Sequence, residues 1–425
     1  MLDINLIRQQ PEKIKQGIGR KGADTSLVDK VLELDSKKRK LLQEIEAIRA
    51  KKNATEKKII GEENREKIIQ VLKEAKEFLL TKEKELALIE EEYIKAMSLI
   101  PNCPLDDVPE GKDERENVVI KEVGKKPKFN FVPQDYMSLG ESLDMIDVKR
   151  AAKISGSRFG ILKKGGAILE VALIKFIFDK LTKKGFIPII PPVLIKPRPF
   201  WGMGYLDKGA EEVYYLPKDD LYLVGTSEQI IGPMHMDEVF AEEDLPLRYV
   251  SFSSCFRREA GSYGKDTKGI LRVHQFDKIE MFVFCKPEDS VKEHQLLLSL
   301  EEEIMSDLKI PYRVLNICAG DLGDPAAAKY DIEAWLPGQN KGQGEYRETH
   351  STSNCGDFQS RRLNIKFKSK NTGKNELVHT LNGTALALGR GILAIMENYQ
   401  TKDGRIQVPR ILHRYTNGVK IFSSR

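Results

Sequence analysis

The sequence runs to 425 residues, 31% of them charged, with a net charge of only +5. That length allows two or three domains and a sizeable core. So small a charge excess excludes a uniformly basic nucleic-acid coat and leaves room only for local basic surface. The 5 cysteines (Cys103, Cys255, Cys285, Cys318, Cys355) lie far apart with no CxxC spacing and no histidine cluster beside them. No zinc site and no disulfide framework is expected, and a thiol-reduced cytoplasmic protein is. No apolar signal region opens the chain, and no apolar run approaches the roughly 18 residues that a membrane span requires.

In chain order, Asn5–Gln16 reads as a short helix, followed by a turn rich in Gly17, Gly19 and Gly22. From Leu27 to Ile59, and again from Ile68 to Ile100, apolar residues recur at spacings of three and four, which predicts two heptad helices. Gly61-Glu62-Glu63-Asn64 can turn the chain between them. The pair then packs as an antiparallel coiled-coil hairpin over 27–100, each helix roughly 50 Å long. Between Lys37 and Lys58 the first helix carries nine bases against three acids, with Lys37, Lys38, Arg39, Lys40, Arg49, Lys51 and Lys52 among the bases. Such a stretch reads either as a solvated spacer or dimerisation rod, or as a face laid along a phosphate backbone. Pro101 ends the second helix. The Pro-rich, acidic residues 101–117 read as a linker, separating an N-terminal domain, 1–112, from a second domain, 113–425.

The second domain has an α+β pattern. Helices are predicted over Ala167–Lys183 and Ala385–Tyr399. Strands are predicted over Gly185–Val193, Glu212–Leu216, Leu221–Thr226, Arg248–Glu259, Leu271–Phe284, Tyr312–Ile317, Tyr330–Leu336, Leu363–Lys368 and Glu376–Leu381. The prolines of Gly185–Val193 confine it to an edge or an interface. Strand follows strand with turns between, which favours an antiparallel sheet flanked by helices. No GxGxxG follows a first strand and no GxxxxGK[ST] occurs, so the two commonest nucleotide-binding loops are absent.

Four polar segments stand where strands end. In Gly225-Thr226-Ser227-Glu228-Gln229, a hydroxyl and a carboxylate two residues apart share a strand face and suit an ammonium group. In Cys255–Phe284, two β-rich runs flank a Gly/Ser/Asp/Lys loop. Arg257 can grip a phosphate with its planar fork, Phe276 can stack a base and a glutamate can read an exocyclic amine. In Tyr346-Arg347-Glu348-Thr349-His350-Ser351, Glu348 and Ser351 can hold Mg²⁺ through oxygens. In Leu381–Arg390, a strand feeds an apolar helix with Arg390 a turn and a half inside it, which requires an anionic partner. Each segment also has a structural reading: TSEQ as a helix N-cap, Arg390 paired with a core carboxylate, His350 as an ordinary hydrogen-bonded histidine.

Taken in order, these segments resemble the three signature motifs of class II aminoacyl-tRNA synthetases. GTSEQ, FRREAGSYGKDTKGILRVHQFDKIEMF, YDIEAWLPGQ, YRETHSTSNCGDFQSRR and LNGTALALGRGILAIMENYQ narrow the likeness to the seryl-tRNA synthetase family. The helical arm before the catalytic domain also resembles that family. The resemblance implies a homodimeric ligase that uses ATP and Mg²⁺ to make seryl-adenylate from L-serine and passes the seryl group to tRNA(Ser), and commonly to tRNA(Sec). It implies Arg257 on the α-phosphate and carboxylate, Glu259 on the adenine amine, Phe276 against the ring, and Arg390 on its other face reaching the γ-phosphate. Arg272 falls near pyrophosphate, Glu348 and Ser351 on Mg²⁺, and Arg258, Thr349 and His350 in the ATP site. Thr226, Ser227 and Glu228 fall on the serine amino end, Glu280 and Thr384 on its hydroxyl, the basic arm residues on tRNA, and Pro192 at the dimer interface. Many members carry Ser-Ser in place of His350-Ser351 and Ser in place of Thr384, and the tail VPRILHRYTNGVKIF is only loosely alike. A synthetase-like ligase charging a carrier protein would lack the arm. A catalytically inactive paralogue, acting as an RNA-binding or regulatory module, would not be expected to keep Arg257, Glu259, Phe276, Glu280, Glu348 and Arg390.

Overall fold

The computed structural model describes residues 1–56, 65–260 and 269–424. The expected hairpin turn at Gly61–Asn64 and nearly all of the loop after Ala260 lie outside the described residues. The chain divides into two compact units, Met1–Pro101 and Asn102–Arg425.

The first unit is helical. The expected single helix near the start is two, α1 (Ile4–Gln9) and α2 (Pro11–Arg20). Pro11 forces the break: it disfavours helical geometry at Gln10, whose φ is −137°, and then starts a new helix where no N–H is needed. Two long helices follow, α3 (Ser26–Glu56) and α4 (Arg65–Ser98). Val28, Val31, Leu34, Leu41 and Ile45 form the buried seam of α3, as heptad spacing requires. Asp35 is buried within that stripe and is held by Arg8 of α1 through two hydrogen bonds of 2.6 and 2.8 Å.

The second unit is built on one eight-stranded sheet. Its strands are β1 (Val118–Val123), β2 (Ile187–Ile189), β3 (Leu247–Phe256), β4 (Gln275–Cys285), β5 (Tyr312–Asn316), β6 (Ala328–Leu336), β7 (Glu345–Asn354) and β8 (His379–Ala387). They lie in the order β1-β5-β6-β7-β8-β4-β3-β2. Every pairing is antiparallel except β2 with β3. The antiparallel sheet was legible from strand following strand. The proline-bearing segment shrinks to β2 at the sheet edge, where Pro188 costs no interior ladder bond.

One face of the sheet is closed by α5 (Gly165–Lys183), α7 (Ser290–Asp307) and α8 (Leu388–Asn398). Leu169, Phe176, Leu297, Leu300, Ile392 and Ile395 join Ile279, Met281 and Val283 of β4 in a single core. The opposite face of β4 presents Phe276, Lys278 and Glu280 and then Phe282 and Phe284, because side chains two apart share a face. Phe282 and Phe284 pack with Met203, Ile231 and Tyr249 in a second, smaller core. Strand β4 is thus apolar on both faces at one end and polar on one face at the other. Helix α7 was not foreseen. Its inward side carries Glu293, His294 and Glu301 among its leucines, which blurs the apolar stripe that marks an amphipathic helix.

Candidate active site

The site's floor is the β8–β4 pair. Glu280 stands opposite Thr384 after a register shift that leaves Ala385 unpaired. The Thr384 hydroxyl donates to Glu280 Oε2 at 3.1 Å. Lys278 Nζ lies 2.6 Å from the same oxygen and 3.3 Å from Thr384 Oγ1. All three side chains are buried. Sequence reasoning missed Lys278. The signal was its i,i+2 relation to Glu280, which puts a base and an acid on one strand face, since a buried ammonium requires a partner.

The wall beside this floor is Thr226-Ser227-Glu228. The expected strand face is absent: the local strand is only Leu221–Leu223, and Glu228 opens α6 (Glu228–Met234). Thr226 lies one residue before the N-cap Ser227, its Oγ1 accepting from the Glu228 N–H at 3.4 Å. Ser227 does not present a free hydroxyl, being bonded to Ser251 Oγ at 2.5 Å. The Glu228 carboxylate accepts from the Tyr205 hydroxyl. Burial and the charge of Glu280 push Glu228 up to about 7, against the pull of Lys278, Tyr205 and Arg257.

Arg257 follows the end of β3. Its guanidinium lies 5.3 Å from the Phe276 ring centre and donates to the Gly225 carbonyl at 3.3 Å. The next side chain in an extended segment points the other way, and Arg258 lies over Tyr214 at 5.5 Å instead. Glu259, with φ +54°, pairs with Arg272 at 2.8 Å.

On β7 a bulge decides which residues meet. Ser351 opposes Asp331 and Glu348 opposes Glu333, while Thr349 is the extra residue between. In a regular strand residues three apart face opposite sides. The bulge restores the phase, so Glu348 and Ser351 share a face with each other and, through the β7–β8 and β8–β4 registers, with Thr384, Glu280 and Phe276. The same count corrects the expectation for His350. It opposes Ile332 on the core face, is fully buried, and bonds through Nδ1 to Thr349 Oγ1 at 2.7 Å. Burial holds it down to about 3, so it is a neutral core histidine directed away from the site. Thr349 bonds to the Ile332 carbonyl at 3.3 Å.

Arg390 sits in the first turn of α8, not a turn and a half inside, because β8 continues to Ala387. A cation is disfavoured at a helix N-terminus. Glu348 compensates: Arg390 donates to its carbonyl oxygen at 2.9 Å and lies 3.3 Å from its carboxylate. The charges of Arg390, Lys329 and Arg257 hold Glu348 down to about 2, although its side chain is partly open to solvent. It is a carboxylate at any physiological pH. The site therefore gathers Arg257, Lys278 and Arg390, the carboxylates of Glu228, Glu280 and Glu348, and the Phe276 ring, an arrangement suited to a polyanion beside an amino-bearing ligand with a hydroxyl.

The chain matches the model of the seryl-tRNA synthetase N-terminal domain over residues 1–104 and that of the class II tRNA synthetase core domain (G, H, P, S and T) over residues 214–399. It is 45% identical over 417 residues to the serine–tRNA ligase of Thermobifida fusca, covering 98% of this chain and 97% of that one. The seryl-tRNA synthetase of Pyrococcus horikoshii, solved with ATP, superposes with a TM-score of 0.92 at 40% identity and 99% coverage of both chains. The cytoplasmic serine–tRNA ligase of Naegleria fowleri, solved with AMP, gives 0.88 at 34% identity, covering 100% of this chain and 99% of that one. Arm, sheet and motif order thus agree end to end with proteins of one kind, and the chain belongs to the seryl-tRNA synthetases, the ATP-dependent serine–tRNA ligases of class II.

Proposed function

We propose that this chain joins L-serine to tRNA(Ser), and to tRNA(Sec) where that tRNA occurs, in the cytoplasm and in two steps. A serine carboxylate oxygen attacks the α-phosphorus of ATP and pyrophosphate leaves. A hydroxyl at the tRNA 3′ end then attacks the carbonyl carbon of seryl-adenylate and AMP leaves. The observation that carries this reading is the shared face of Phe276, Glu280, Thr384, Ser351 and Glu348. No side chain acts as a nucleophile, so positioning and charge supply the acceleration. Arg257 holds the α-phosphate and the carboxylate, Phe276 stacks the adenine, Glu259 accepts from its amine, and Arg272 and Arg390 face the outer phosphates. Thr226 and Glu228 take the ammonium, Glu280 and Thr384 the hydroxyl. Glu348 and Ser351 offer two oxygens on one face, a set that fits Mg²⁺, which keeps its remaining positions for water and phosphate oxygens. When bound, the ion adds positive charge to the phosphate chain. Serine-dependent ATP–pyrophosphate exchange, run across the amino acids, is expected with serine far above all others. No exchange with serine would sink the reading.

The arm supplies the tRNA surface in this proposal. Four of its seven candidate cations are engaged with acids of the same hairpin: Lys37 with Glu33, Lys38 with Glu90, Arg49 with Glu83 and Lys52 with Glu56. Arg39, Lys40 and Lys51 are exposed and, among the described residues, make no ion pair. Changing these three to glutamine should leave exchange intact and weaken tRNA charging. The logarithmic salt dependence should flatten by about one unit per lost phosphate contact. An unaltered salt slope would remove the arm from tRNA binding.

A homodimer is proposed from the uncovered apolar side of the second unit. Ile168 and Val171 of α5, Ile187 of the edge strand β2, and Ile190 beyond it are 41 to 78% exposed, next to an exposed Pro192. Light scattering should return the mass of two chains, about twice 48.3 kDa. A single-chain mass at micromolar concentration would refute it.

A further inference from the structure

We propose that Tyr205 is a positioning residue for the amino acid: its hydroxyl occupies one oxygen of Glu228 and leaves the other aimed at the substrate ammonium. The inference rests on the reading of Glu228 as the ammonium acceptor. The two buried carboxylates of the site are not equivalent. Glu280 is matched by Lys278 at 2.6 Å, so its charge is neutralised before any ligand arrives. Glu228 makes no ion pair among the described residues, and its one strong partner is a phenol. A phenol donates a hydrogen bond without supplying positive charge. It can therefore fix the carboxylate's rotamer while leaving its charge for the ligand, which a lysine or arginine at that place could not do.

The chain builds this contact deliberately. Tyr205 follows a short helix, Pro197–Gly202, through Gly204 at φ +89°. A side chain there would be strained by that φ and would meet Pro325 and Phe358 at 3.0 and 3.1 Å. The glycine thus lets the backbone turn tightly against the core and deliver the ring. Phe200, one turn earlier, stacks on Tyr205 with centroids 6.5 Å apart and planes at 23°. Burial and the neighbouring charge of Glu228 raise the phenol well above its ordinary range, so the hydroxyl remains a donor throughout the working pH.

The groups facing Glu228 are Tyr205, Glu280 and Lys278 of β4, and Arg257. Lys278, Tyr205 and Arg257 favour the ionised form, and Glu280 opposes it. A protonated Glu228 cannot pair with an ammonium, so kcat/KM for serine falls as pH drops through the Glu228 pKa. Removing the hydroxyl raises that pKa, and the acid limb moves to higher pH.

Tyr205→Phe keeps the ring and its stacking. In ATP–pyrophosphate exchange it is expected to raise KM for serine about tenfold, the value of one hydrogen bond to a charged group. Turnover and KM for ATP should stay within about twofold, and the acid limb of kcat/KM for serine should shift upward. A wild-type serine KM and an unmoved limb would overturn the proposal. Glu228→Gln separates the two layers. If it leaves serine KM unchanged, the reading of Glu228 fails and Tyr205 with it. If it raises serine KM and abolishes the limb while Tyr205→Phe behaves as wild type, the Tyr205 proposal alone falls.

Discussion

Arg257→Ala should lower turnover in serine-dependent exchange on the order of 10²- to 10³-fold, the usual loss when one preorganised donor to a developing charge is removed. Three features make this the most sensitive position. Its guanidinium is already fixed by Phe276 at 5.3 Å and the Gly225 carbonyl at 3.3 Å, so little reorganisation is needed as charge builds on the phosphate. Its charge reaches both Glu228 and Glu348, which on the proposed reading belong to the amino-acid and phosphate halves. Lysine is a poor substitute, because a point charge cannot reproduce a bidentate fork. Arg257→Lys should therefore recover little. A turnover within a few-fold of wild type in Arg257→Ala would show that the α-phosphate is held elsewhere.

The second large effect belongs to Glu280. A pocket built to hydrogen-bond a hydroxyl rejects the analogue lacking it by about 10⁴-fold or more, where an apolar pocket manages only about 10²-fold. Glu280→Ala should move serine-over-alanine discrimination from the first regime toward the second, read as the ratio of kcat/KM in exchange. The same change strands Lys278, whose side chain is only 7% exposed. Breaking one half of a buried pair costs about 3–5 kcal/mol, so a loss of stability should accompany the loss of selectivity. The double change Lys278→Met/Glu280→Leu removes both charges at similar volume and should fold well while remaining unselective. Undiminished discrimination in that folded double variant would move the hydroxyl contact away from this strand.

Much of this was legible in the sequence, for reasons that can be named. The heptad helices showed through because one narrow apolar seam repeats over many turns. The antiparallel sheet showed through because β5, β6 and β7 follow one another through short connections. That Phe276 and Glu280 share a face was legible because strand alternation fixes it without knowledge of their neighbours. Lys278 was missed although the same alternation includes it, because an exposed lysine on a strand is the commoner reading and only its contacts with Glu280 and Thr384 show its burial. Tyr205 was not legible at all. Its partner Glu228 is 23 residues away on another element, and nothing local singles out a tyrosine placed just before the short helix Leu206–Gly209. His350 misled because its sequence neighbours Glu348 and Ser351 do face the site.

The single extra residue at Thr349 makes the site a matter of counting as well as chemistry. Flattening the bulge, with Thr349 taking a rung of its own opposite Glu333, would give a more regular ladder but move Glu348 to the rung of Ala334 and turn its carboxylate to the core face. Removing Thr349 altogether would instead leave Glu348 opposite Glu333, two residues from Ser351 and still on the site face. What the site requires of this strand is therefore a parity rather than a particular residue at the bulge, a constraint that a comparison of residue types alone would overlook.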